Sequence, residues 1–251
     1  MKKFDKLLNL ILPLITVVCI LIIWATCAYF TDNEYLLPSV GATIEEFFAL
    51  FISAKFYSAL LFTLLRSVIA FALSFLVASI LAFLSSKSKK GERLILPLIS
   101  IVRALPTLAI VLLLLIWTNN QVAPVLVTSL VVMPTAYTQI KGAIDSIDKN
   151  SVEAGMVDGT DKFSSFFKIE LPQIAPIIYS AVGSGLALNL KLMVAAEVMS
   201  ATVKSLGTIL NISNYNGEIA KMLALVLVVL ILGLVIEFFF NYLSKKSGDW
   251  K

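Results

Sequence analysis

Long apolar runs separated by short polar intervals constrain this chain more than any other feature. Six can be read, at about residues 7–30, 58–84, 94–117, 122–140, 174–200 and 219–243. A bilayer core about 30 Å thick needs ~20 apolar residues per helix, and within it only structures that satisfy their own backbone hydrogen bonds survive. The pattern therefore predicts an all-α membrane protein, with six transmembrane helices in a single domain over residues 1–251. Composition agrees: 59% of residues are hydrophobic and 14% charged, against about 45–50% and 25% in soluble domains. The first run outlasts the apolar core of a signal peptide and no A-x-A site follows it, so it is expected to stay as a membrane helix.

The same residues remove several classes of chemistry. Cys19 and Cys27 both lie inside the first run, where they form neither a disulfide framework nor a metal-ligand spacing. Histidine is absent, and with it the usual proton shuttle and the commonest metal ligand. There is no G-x-x-x-x-G-K-[ST] phosphate loop, so the chain is not expected to hydrolyse ATP alone. No nucleophile–base pair or carboxylate pair stands in the helices, which argues against a membrane enzyme. The scarcity of buried acidic residues and the small size argue against a secondary transporter or channel working alone. No cofactor or metal of its own is expected.

The net charge of +4 reads as topology, not as nucleic-acid binding, because cytoplasmic flanks of membrane helices collect Lys and Arg. One set of flanks holds Lys2, Lys3, Lys6, Lys87, Lys89, Lys90, Arg93, Lys141, Lys149, Lys162, Lys168, Lys245, Lys246 and Lys251; the other holds Lys55, Lys204 and Lys221. Fourteen against three predicts both termini in the cytoplasm. On the outer side, residues 31–57 carry Ile44, Phe47, Phe48 and Phe51 at helical spacing, which predicts a short amphipathic helix on the membrane surface. Residues 118–121 read as a tight turn between the third and fourth helices, and residues 201–217 as a polar loop.

The interval over residues 141–173 falls on the cytoplasmic side. Its second part, EAGMVDGTDKFSSFFKIELP at residues 153–172, places ionisable side chains, among them Asp158, beside a phenylalanine cluster. Asn150 or Ser151 can cap a first short helix near Glu153, with Val152 and Met156 on one face. Gly159 can end it in the left-handed conformation. Thr160 or Asp161 can cap a second, on which Phe163, Phe166 and Phe167 share a side. Pro172 suits the first turn of the fifth membrane helix. Periodicity leaves two readings of the rings open: packing beneath the chain's own membrane helices, or presentation to a partner.

This stretch resembles the EAA loop of permease subunits in binding-protein-dependent ABC importers. The pattern, E-A-A, three residues, G, nine residues, I-x-L-P, is matched by Glu153, Ala154, Gly155, Gly159, Ile169, Leu171 and Pro172; only Gly155, for alanine, departs. That departure removes up to ~1 kcal/mol of helix propensity. LLPS at residues 36–39, the segment around Arg66, ILPLISIVRALPTLA at 95–109, and VAAE at 194–197 followed by Leu206 and Gly207 are similar to the nitrate, sulfonate and taurine branch. The absence of glycine from residues 68–84 departs from that branch.

The resemblance implies a MetI-like permease core that forms the translocation pathway and couples it to ATP hydrolysis by a separate subunit. It implies as partners a cytoplasmic ABC ATPase dimer, an extracytoplasmic substrate-binding protein and a second permease copy, in a prokaryotic inner membrane. Its cargo would be a small anionic solute such as a sulfonate, taurine or nitrate, or a vitamin precursor. Charges inside membrane helices mark pathways, which singles out Arg103, Lys191 and Glu197. Arg66 and Glu237 fall near helix ends, where a structural role is expected. Pro106 and Pro134 each remove a backbone hydrogen bond and, with Gly183 and Gly185, are the candidate gate hinges.

Overall fold

The computed structural model describes residues 2–157 and 159–248. Asp158, residues 249–251 with Lys251, and the side chains of Met156, Lys2, Lys3 and Lys6 lie outside the described residues. Among those described, every regular element is helical. These are α1 (Lys2–Thr31), α2 (Val40–Leu50), α3 (Ala54–Lys87), α4 (Lys89–Ala104), α5 (Thr107–Trp117), α6 (Ala123–Asp145), α7 (Lys149–Val157), α8 (Lys162–Ser165), α9 (Leu171–Ser200), α10 (Leu206–Tyr215) and α11 (Ile219–Gly248). A π-turn over Phe166–Glu170 joins α8 to α9. Five helical segments are long and apolar enough to span a membrane, and six spans result when α4 and α5 count as one.

Three expectations need correction. The third span is broken, with α4 and α5 meeting at 91°. Leu105 is extended there, at φ −67° and ψ 130°, as the residue before a proline prefers. Secondly, α9 begins at Leu171 with Pro172 in its first turn, as expected, but the helical run does not begin there: α8, the π-turn and α9 are continuous from Lys162 to Ser200. Pro172 has no N–H and its ring crowds the carbonyl of Lys168, four residues back. The wider turn accommodates this, with the Leu171 amide donating to Phe166 O. Thirdly, residues 201–217 contain α10, whose start is held by Ser205 Oγ accepting from the Thr208 amide at 2.9 Å. The surface helix expected within residues 31–57 is α2.

The chain divides into two compact units. In the first, residues 1–57 and 209–228, α1 is exposed along Ile11–Thr31, as suits a helix solvated by hydrocarbon. Trp24 Nε1 donates to Pro38 O at 3.1 Å, which folds the following connection back along α1. Ser39 then caps α2 by accepting from the Ala42 amide at 3.1 Å.

The second unit, residues 58–208 and 229–251, centres on α6 and α9. Ala78, Ala82 and Ala136 pack with Ile95, Ile99, Met133 and Ile140; small side chains let membrane helices approach closely. Some buried hydroxyls bond across helices: Ser85 Oγ and Tyr137 Oη lie 2.7 Å apart, and Ser74 donates to Ser129 O at 2.8 Å. Gly183 and Gly185 sit against Phe240 and Phe71, respectively.

Candidate functional site

The segment from α7 through α8 is built by short-range caps. Asp148, not Asn150 or Ser151, starts α7: its carboxylate accepts from the Asn150 amide at 3.0 Å and the Ser151 hydroxyl at 2.6 Å. Those bonds, the Ser151 hydroxyl first, hold the Asp148 pKa below its ordinary value. The Asp148 amide in turn donates to Gln173 Oε1 at 2.9 Å, tying the start of α7 to α9. Asp148-x-x-Ser151 is itself a capping spacing, and the flanking Asn and Ser obscured it.

Gly159 follows α7 at φ +84°, the left-handed conformation that glycine adopts without steric cost. Asp161 then caps α8, accepting from the amides of Phe163 and Ser164 at 3.1 and 3.3 Å. Its bonds to Ser164, the side chain first, hold its pKa below the ordinary value. Phe163, Phe166 and Phe167 stay largely exposed and cluster, with a tilted pair at a centroid separation of 4.8 Å (163–167) and an edge-on pair at 5.1 Å (166–167). The chain's own described helices leave them uncovered.

Gly155 and Ile169 meet across the turn. A methyl group added at Gly155 would fall on Cδ1 of Ile169, so the isoleucine fills the space that an alanine side chain would take. The Thr160 amide donates to Gly155 O at 3.0 Å and closes the joint. Glu153 and Ala154 point outward. Glu153 and Glu170 line a groove of about 560 Å³ with Lys149 and the apolar Ile144, Ile147 and Val152. Leu171 and Pro172 are exposed on the same run. The segment thus combines uncovered rings, a carboxylate-lined groove and an unbroken helical connection to α9.

Within the spans the singled-out charges separate. Glu197 is fully buried and pairs with Arg66 Nη1 at 2.5 Å. It also accepts from Thr63 Oγ1 at 2.8 Å and the Gly207 amide at 3.3 Å. Arg66 is therefore a buried partner inside α3 and not an end-of-helix side chain. Arg103 ends α4 and reaches α6, donating to Thr138 Oγ1 at 2.9 Å. Lys191 is exposed on α9, and its Cε lies 3.6 Å from where a side chain at Gly233 would begin. Pro106 is the N-cap of α5, at the break, whereas Pro134 stays inside a continuous α6.

Comparison with known proteins identifies the family. Residues 74–248 match the family described as binding-protein-dependent transport system inner membrane component. A protein of Methanocaldococcus jannaschii named as an ABC transporter permease is 23% identical, with 98% of this chain and 93% of that one aligned. One of Bacillus subtilis, named for aliphatic sulfonates transport, is 21% identical over 100% of this chain and 90% of its own. The riboflavin transport system permease of Chloroflexus aurantiacus is 26% identical over 49% of this chain and 46% of its own. Among solved structures, a chain of the MetNI methionine ABC transporter superposes with TM-score 0.65 at 17% identity, covering 75% of this chain and 94% of that one. A chain of a bacterial transporter importing alginate superposes with TM-score 0.63 at 19% identity, covering 97% and 96%. The family match over most of the chain, with the MetI-like fold shared by these structures, establishes that the chain belongs to the inner-membrane permease components of binding-protein-dependent ABC importers.

Proposed function

We propose that this permease, a transport subunit and not an enzyme, carries a small anionic solute of the sulfonate, taurine or nitrate kind. The observation that carries the reading is Lys191. It is exposed on α9 nine residues before that helix ends at Ser200, about 14 Å along the axis at ~1.5 Å per residue. That is close to the middle of a hydrocarbon core about 30 Å thick, where a charge faces water or a partner and not lipid. The Bacillus subtilis relative named for aliphatic sulfonates transport agrees with an anionic cargo; the riboflavin relative keeps a vitamin precursor as the second reading.

In this reading the whole chain acts as one permease domain, paired with a second copy, with both termini in the cytoplasm. Glu153, Ala154, Gly155 and Gly159 form the piece that seats in the ATPase, and the exposed phenylalanines widen the contact. Ile169, Leu171 and Pro172 carry its motion into α9. A substrate-binding protein delivers cargo to the opposite end. Arg103 and Lys191 line the path, Pro106 marks its hinge, and Glu197 belongs to the wall. Uptake of taurine, nitrate and an alkylsulfonate by cells expressing Lys191→Ala tests the anion reading. Uptake of at least one of them is expected to fall about tenfold or more, the loss of one desolvated charge contact, with ATPase co-purification intact. Unchanged uptake of all three would overturn it.

A further inference from the structure

We propose that Arg66 and Glu197 are a positioning pair that holds shut the end of the pathway farthest from α7. The inference rests on the reading above that α9 lines the path. Glu197 lies near the far end of the helical run that begins at Lys162, about 50 Å away along the axis at ~1.5 Å per residue. The pair and the coupling segment therefore occupy opposite ends of one rod.

At that end a single guanidinium gathers several segments of chain. Arg66 Nη1 donates to Glu197 at 2.5 Å, and Nη2 donates to Gln121 Oε1, Val203 O and Lys204 O at 3.1, 3.1 and 3.2 Å. The turn between α5 and α6 is sewn to the same place: Asn120 Nδ2 donates to Ala201 O at 3.3 Å, and Thr202 Oγ1 donates to Asn120 O at 2.8 Å. Ala201 and Lys204 have φ of 48° and 52°, a conformation side chains rarely adopt unless something holds it. Arg66, bound to Val203 O and Lys204 O, is that hold for Lys204, and Asn120, bound to Ala201 O, is that hold for Ala201. Glu197 and Thr63 also receive the first amides of α10, with Leu206 N donating to Thr63 Oγ1 at 3.0 Å and Gly207 N to Glu197 at 3.3 Å.

Directly beside this assembly lies an apolar cavity of about 70 Å³ between α5, α6 and α9, lined by Val111, Val127, Ala196 and Met199. Ala196 of its lining directly precedes Glu197 in α9, so loss of the Arg66–Glu197 bond would loosen the wall of the cavity at that end. Removing one partner of a buried pair leaves an uncompensated buried charge and is costly, so either single substitution is expected to open this end. Arginine supplies the planar fork that reaches four acceptors at once, which lysine cannot.

Cysteine accessibility in the purified permease–ATPase complex tests this. In a Cys19→Ser, Cys27→Ser background, one reporter is Ala196→Cys beside the cavity. The other is Ala143→Cys, equally buried but at the α7 end of α6. Arg66→Met and Glu197→Gln are each expected to raise thiol labelling at the first reporter about tenfold, while the second changes less than about twofold, as a local opening requires. No rise at the first reporter, or equal rises at both, would overturn the proposal, since a merely structural pair loosens the whole bundle. Should Arg66→Met fail to yield complex, Glu197→Gln, which keeps the size but removes the charge and turns one acceptor oxygen into an NH2 donor, decides the matter. Lys191→Ala uptake tests the path reading on its own, so failure of one is separable from failure of the other.

Discussion

Gly155→Ala restores the residue that the permease motif carries at this position, and the geometry sets what the change costs. An alanine is worth up to ~1 kcal/mol more than glycine inside a helix. Its methyl falls on Cδ1 of Ile169, the far end of a flexible side chain, and displacing that atom from its rotamer costs about 0.5–1.5 kcal/mol. The two effects nearly cancel, so the single variant should change α7 stability by less than about 1 kcal/mol. Ile169→Val removes the obstructing carbon and costs about 0.5–1.5 kcal/mol by itself. In that background Gly155→Ala keeps only ordinary contacts, with Thr160 Oγ1 at 4.0 Å and the γ carbon of residue 169 at 3.9 Å, and recovers the full propensity gain. The double-mutant cycle should therefore show a favourable coupling of about 1 kcal/mol, read as about fivefold slower amide exchange across Lys149–Val157 than the two singles predict. Zero coupling would refute the contact and the view that Ile169 stands in for the missing methyl.

The two caps respond to acid in a defined direction. Asp148 and Asp161 have folded pKa values below 3.8, so the stability they lend α7 and α8 is complete above the unfolded carboxylate value and is lost as pH falls through the lowered one. Carboxyl titration followed by NMR should give midpoints below 3.8; a midpoint above that value would contradict the caps. Gly207→Ala would drive a carbon to 2.6 Å from the Val198 backbone nitrogen, and backbone cannot step aside; a loss of about 1–3 kcal/mol or more is expected, seen as a thermal midpoint lower by roughly 3–10 °C. Gly142→Ala, with nothing within 4 Å, should leave that midpoint unchanged or slightly raised, and a drop would count against the packing described.

Much of this architecture was legible because bilayer physics is strict. Runs of ~20 apolar residues have few alternatives, and the spacing from Glu153 to Pro172 matched the permease motif before any fold was in view. The break at Leu105 and Pro106 was not legible in hydropathy, because apolar residues continue on both sides of it. The continuity of α8 with α9 was missed because Pro172 reads as a helix start, while in the fold a π-turn absorbs it. α10 was hidden by its polar residues, and its anchor is the close approach of Gly207 to the backbone of α9. Arg66 and Glu197 are 131 residues apart, so only the tertiary fold pairs them, and no local pattern announces it. Glu153 and Lys191 stood out because a charge is conspicuous against hydrocarbon or beside a recognisable motif.

The central claim is that α7 and α8 join this permease to an ABC ATPase and pass its motion to α9. The direct measurement is affinity purification of the tagged chain from its native membranes, wild type beside Glu153→Arg and Gly159→Val, with ATP hydrolysis assayed in each eluate. Wild type should bring down an ABC ATPase and hydrolyse ATP. Glu153→Arg reverses the charge in the groove, and Gly159→Val forces a branched side chain into φ +84°; each should reduce the recovered ATPase about tenfold or more at equal permease yield, as loss of an interface anchor does. Full recovery of ATPase and of its activity with both variants would contradict the account.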